Sequence, residues 1–68
     1  MLKVKLINKE NEKSFETEVH HNDSVGNLFF KISLQHDINK IMNEYGQDIP
    51  HEYNIVRNMC FYYSNSSR

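Results

Sequence analysis

The spacing of hydrophobic and polar residues changes period along the chain, and each change predicts an element. From Leu2 to Lys9 the residues alternate: Leu2, Val4 and Leu6 fall on one side, Lys3, Lys5 and Lys9 on the other, with Ile7 an apolar exception on the lysine side. This is the pattern of a half-buried strand. After the polar run Lys9 to Glu12, alternation resumes with Phe15, Thr17 and Val19 opposed to Glu16, Glu18 and His20. Two such strands joined by a short polar link predict a hairpin. A four-residue loop over 9–12 sets Asn8 against Lys13, Leu6 against Phe15, Val4 against Thr17 and Leu2 against Val19. It also brings Lys5 to Glu16 and Lys3 to Glu18. A register slipped by two residues keeps the apolar side intact but puts Lys3 opposite His20 and loses a charge pair, so the first register is expected.

From Ser24 to Gly46 the period becomes helical. Val25, Leu28, Phe29 and Ile32 share one stripe at about 100° per residue, and Asn22, Asp23 or Ser24 is placed to cap its start. Continued in the same phase, Leu34, Ile38, Ile41, Met42 and Tyr45 form a second stripe on the opposite side. Three arrangements accommodate both. A break near Gln35-His36-Asp37 gives two short helices, the second over 38–45 and ended by Gly46. A continuous helix packs its second half on another molecule and makes a dimer. Alternatively, the C-terminal segment folds back over the far side of a continuous helix. Gln47 to Pro50 reads as a linker. Beyond it, Tyr53, Ile55, Met59, Phe61 and Tyr63 alternate, while Ile49, Tyr53, Val56, Cys60 and Tyr63 fit a helix almost as well. The β-branched and aromatic content of IVRNMCFYY favours a strand over 55–63.

The expected fold class is therefore α+β: an N-terminal β-hairpin, a helical region over 24–45 that the first arrangement breaks near residue 36, and a C-terminal strand joining a small mixed sheet. One domain over 1–63 and a mobile polar tail over 64–68 follow. The passage ETEVHHNDSVGNLFFKI, a strand leading through a polar turn with Asp and Ser into an amphipathic helix, resembles the same passage of the ubiquitin-like β-grasp proteins. The resemblance covers about the first 35 residues and implies a mixed sheet with one helix across it. The helical region is longer than in that family, a single strand follows it, and there is no terminal Gly-Gly, so conjugation is not implied.

Composition narrows the function classes. With 68 residues, 38% of them hydrophobic, and a mean hydropathy of -0.73, the chain can build only a small core. Chains of this size often gain stability from a partner or a second copy. A formal net charge of -1 and a pI near 6.4 remove any global electrostatic attraction to nucleic acid or an anionic membrane. Cys60 is the single cysteine, so neither an intrachain disulfide nor a thiolate cluster can form, which suits a reducing, cytoplasmic setting. Neither a signal peptide nor a membrane span is expected. Richness in Asn, Lys and Ile, all with A/T-rich codons, hints at a low-GC bacterium or one of its phages.

Candidate chemistry is sparse. His20 and His21 are adjacent and His36 and His51 lie in expected loops, so no pair has metal-ligand spacing and no metal or other cofactor is expected. Cys60 in an apolar run reads as a small buried hydrophobe rather than a nucleophile, and no enzyme activity is expected. Arg57, Phe61, Tyr62, Tyr63 and Arg68 mix aromatics with cations as a single-strand-binding surface does, and Lys3, Lys5, Lys31 and Lys40 are available to extend it, but glutamates are interleaved among those lysines. The strongest expectation is a non-catalytic protein-binding module, self-associating as a homodimer, with Leu34, Ile38, Ile41, Met42 and Tyr45 as its interface. An inhibitor of a host protein, encoded by a phage or mobile element, is the expected setting. The alternative is a small nucleic-acid-binding protein using the C-terminal aromatic strand.

Overall fold

The computed structural model describes residues 1–65. Strands β1 (Leu2–Asn8) and β2 (Ser14–Val19) form the hairpin in the register that the paired apolar and charged positions dictate: Leu6 opposes Phe15, Lys5 opposes Glu16 and Lys3 opposes Glu18. Val4, Leu6 and Val19 are buried while Lys3, Lys5, Glu16 and Glu18 face solvent. The facing charges do not close into salt bridges; among the described residues the ion pair is Lys40 to Asp48, at 3.5 Å. Burial of one face excludes a one-residue slip, and the hydrogen-bonded turn at Asn8 fixes the register against a two-residue slip, so the exposed charges add little to it.

Asn8 shapes the hairpin turn. Its backbone N–H donates to the Lys13 carbonyl (2.7 Å) and its carbonyl accepts from Glu12 N–H (2.8 Å). Its side-chain Oδ1 accepts from the N–H groups of Glu10 (2.7 Å) and Asn11 (3.3 Å), and its Nδ2 donates to Asn65 Oδ1 (3.1 Å). A side-chain carbonyl bonded to the backbone two residues on is the Asx turn that favours Asn at such corners. Sequence reasoning passed over this residue because an Asn beside a polar loop looks like any other exposed Asn.

The short strand β3 (Asp23–Ser24) leads into the helix α1 (Val25–Ser33), with Ser24 as N-cap: its Oγ accepts from Asn27 N–H at 3.1 Å. Two more of the helix's orphan donors are met by the distant chain, Val25 N–H by the Tyr53 carbonyl (2.8 Å) and Gly26 N–H by the His51 carbonyl (3.0 Å). A Cβ at Gly26 would stand 3.2 Å from His51 Cβ and 3.3 Å from its carbonyl oxygen, so glycine permits this close approach. Val25, Leu28 and Ile32 are buried in one cluster with Val4, Leu6, Ile41, Phe61 and Tyr63 of the sheet.

The helix ends at Ser33 and no second helix follows among the described residues, which corrects the helical reading of 24–45. His36 N–H donates to the Ile32 carbonyl (2.8 Å), and the His36 ring stacks on Phe15 with centroids 3.9 Å apart and planes 11° from parallel, turning the chain back over the hairpin. Lys40–Met42 then forms the strand β4. Antiparallel to it lies β6 (Met59–Ser64), which also pairs in parallel with β1, so the sheet order is β2-β1-β6-β4. The two-residue strand β5 (Asn54–Ile55) pairs with β3 in a separate small sheet. The C-terminal alternation is thus a strand, as expected, but it begins at Met59 because Ile55 belongs to β5. Ser64, expected in the tail, closes β6 opposite Lys40, and the part of that tail over 66–68 lies outside the described residues.

A strand so short as β4 carries too few alternations to be told from a helical stripe by period. Tertiary structure decides in its favour: as a strand, Ile41 covers Tyr63 across the ladder and backbone groups along β6 gain partners. A helix here would leave that edge open.

Candidate functional site

The residues expected to form one apolar helix face do not share a surface. Ile38 and Ile41 belong to the main core and Met42 is buried beside Tyr62 across the β4–β6 ladder, whereas Leu34 (73% exposed) and Tyr45 (79% exposed) face solvent at separate places. The physical reason is the change of period from helix to strand at β4, which sends Ile41 and Met42 to opposite faces of the sheet. The aromatic–cation group divides in the same way. Phe61 and Tyr63 are core, Tyr62 is half-buried on the opposite face with Lys9 Nζ 5.9 Å from its ring centre, Arg57 is exposed in a bend, and Arg68 lies outside the described residues. Cys60 alternates with the core residues of β6 and is exposed, which overturns its reading as a buried hydrophobe.

What the fold does build is a groove of about 500 Å³ between the β4–β5 connection and the start of β6. That volume lies within the roughly 300–1,000 Å³ of ligand sites. Buried Phe61 and half-buried Met59 and Ile49 give it an apolar base, and the exposed rings of Tyr45 and Tyr53 and the ring of Pro50 flank it. The Tyr53 hydroxyl lies 3.8 Å from Met59 Sδ. Of the charged side chains lining it, both are acidic, Glu44 and Asp48. Lys40 partly offsets Asp48; Glu44 has no ion pair among the described residues.

Local sequence explains each wall. Asn43 starts a tight turn, its Oδ1 accepting from Tyr45 N–H (2.9 Å) and Gln47 N–H (3.0 Å), and Gly46 takes the left-handed conformation (φ +83°) that the turn requires. This turn projects Tyr45 outwards. Tyr53 is held by the bond from the helix start, and Pro50 accepts from Tyr53 N–H at 3.1 Å. Sequence reasoning missed the groove because its residues come from three separate stretches. Only the excess of exposed tyrosine in a polar connection hinted at it.

The class of protein defined by this fold and groove is a small α+β domain with one short helix and a four-stranded mixed sheet. No protein-family model matches the chain, and no curated protein is similar enough to it to show relatedness. No helix among the described residues is long and apolar enough to cross a membrane.

Proposed function

We propose that the chain is a non-catalytic protein-binding module whose binding element is the groove between the β4–β5 connection and β6. The observation that carries this reading is the pair of exposed tyrosines, Tyr45 and Tyr53, flanking an apolar base. Tyrosine offers large contact area with few rotors and a polar tip, and is enriched in interface hot spots. The groove lining includes Cys60 but no histidine to pair with it. The sheet order, with parallel strands at its centre and α1 on one face, supports a β-grasp relationship as an analogy of fold, which carries no function by itself. The proposed setting remains an inhibitor made by a phage or mobile element, resting on the composition alone.

Photocrosslinking tests the groove. A photoreactive phenylalanine at position 45 should crosslink a partner in an extract of the cells that make the chain, and the same group at Glu16, on the far strand of the sheet, should not. Capture should fall at least tenfold in Tyr53→Ala. Equal crosslinking from both positions overturns the reading.

Self-association is proposed through a different surface from the one expected. Phe30 (68% exposed) and Leu34 stand one helical turn apart, an exposed apolar pair. Solution mass across a dilution series should show a dimer that Phe30→Glu dissociates; a monomer at every concentration refutes it.

A further inference from the structure

The edges of the main sheet are closed in part. On β2, Lys31 Nζ donates to the Glu18 carbonyl at 2.6 Å, so a side chain occupies an acceptor that another strand would need. On β4, the Ile41 carbonyl accepts from Ile49 N–H (3.1 Å), and Met42 bridges to Asp48.

β2 still turns the backbone groups of Ser14 and Glu16 outward, among charged side chains; beside the apolar groove, one position of β6 stays open. The Tyr63 carbonyl accepts from Lys9 N–H, on the β1 side, and the Ser64 carbonyl accepts from Asn39 N–H, on the β4 side. Alternate residues of a strand turn their backbone groups to alternate sides. Hence Tyr62 and Cys60, like Ser64, present theirs to the β4 side. Tyr62 meets Met42 there. The same register would set position 44 opposite Cys60, but the chain has already turned away through Asn43 to Gly46, with Gly46 N–H donating to the Asn43 carbonyl at 3.0 Å. The Cys60 N–H and C=O therefore point into the groove with no strand opposite them.

We propose that this groove takes a short extended peptide segment of a partner protein, which adds to β6 at Cys60, lays an apolar side chain on Met59 and Phe61, and sets a lysine or arginine against Glu44. The proposal rests on the reading of the groove as a protein-binding site and names its occupant. An extended backbone is specified because an unpaired strand residue offers one donor and one acceptor at fixed spacing, which a peptide satisfies by exchanging both bonds with a residue opposite. A cation is specified because the charges lining the groove are acidic and Glu44 has no ion pair among the described residues. The cation sits at the Glu44 end, where the carboxylate lies; the other end, beside Cys60, carries the mixed charges of Lys5 and Glu16.

The test uses the whole chain, isotope-labelled, titrated with the capped tetrapeptide acetyl-Lys-Val-Phe-Val-amide, its glutamate counterpart, and forms N-methylated at one backbone amide each. The lysine peptide should shift the amide resonances of Cys60, Tyr53 and Tyr45, bind at least fivefold more tightly than the glutamate peptide, and lose at least tenfold on one of the N-methylations. Glu44→Lys, an exposed turn substitution whose folding the same spectrum reports, should reverse the charge preference. Equal or tighter binding of the glutamate peptide overturns the cation while leaving the groove as a protein site. Indifference to every N-methylation overturns strand addition. If no peptide moves Cys60 and Tyr53 at millimolar concentration, the occupant is wrong, and crosslinking from position 45 separately decides whether the groove binds protein at all.

Discussion

Ile41→Asp is expected to unfold the domain, whereas Leu34→Asp, compared with the parent at a concentration where both are monomeric, is expected to change stability by no more than about 0.5 kcal/mol. On a helical face the two side chains would be equivalent. In the fold, Ile41 is 3% exposed and packed with Phe61 and Tyr63, while Leu34 is 73% exposed at the end of α1. A carboxylate at position 41 loses the burial of an isoleucine, about 1.5–3 kcal/mol, and places a charge where no cation faces it, which costs several kcal/mol more unless the group takes up a proton. Domains are stable by roughly 0.05–0.15 kcal/mol per residue, so these costs together match most of what a chain of 68 residues possesses. Urea denaturation followed by far-ultraviolet circular dichroism distinguishes the variants. A folded Ile41→Asp protein with the same midpoint as Leu34→Asp would remove β4 from the core.

Asn8→Ala should cost about 2–3 kcal/mol, more than any other substitution of a polar side chain described above. Asn8 is 2% exposed, and its amide holds the hairpin turn through two accepted bonds and ties the chain beyond β6 to β1 through one donated bond. Each such bond contributes about 1 kcal/mol net, and the N–H groups of the turn lose a partner when it goes. Asn65→Ala removes only the third bond and should cost about 1 kcal/mol. The double variant should then fall short of the sum of the two, because the Asn8–Asn65 bond is counted in both single losses. Thermal denaturation of the four proteins measures this. Equal losses in the two single variants would show that the Asx turn contributes nothing.

The two sets of variants probe different links between sequence and fold. The hairpin was legible to the residue because its information is local and redundant: apolar alternation, opposed charges and a polar loop all agree on Leu6 facing Phe15. The start of α1 was legible for the same reason, since Ser24 precedes a clean stripe from Val25 to Ile32. Beyond Ser33 the same logic failed. Leu34, Ile38, Ile41, Met42 and Tyr45 keep a helical period by coincidence, and the sequence contains no strong breaker before Gly46. The groove was illegible for another reason. Its base comes from β6, its flanks from two turns, and its open backbone edge exists only because β4 stops at Met42.

By itself, then, the sequence determined an α+β class, the register of β1 with β2, the start and buried face of α1, and a strand near the C-terminus. These depend on periodicity and on neighbours a few residues apart. Tertiary structure alone decided that 40–42 is a strand, that Cys60 points outward, and that Asn8 is buried. Each depends on which distant segment offers a hydrogen-bonding edge or an apolar face, and on a choice the local pattern leaves degenerate: a three-residue stretch has no period of its own, so the strand that pairs with it supplies one.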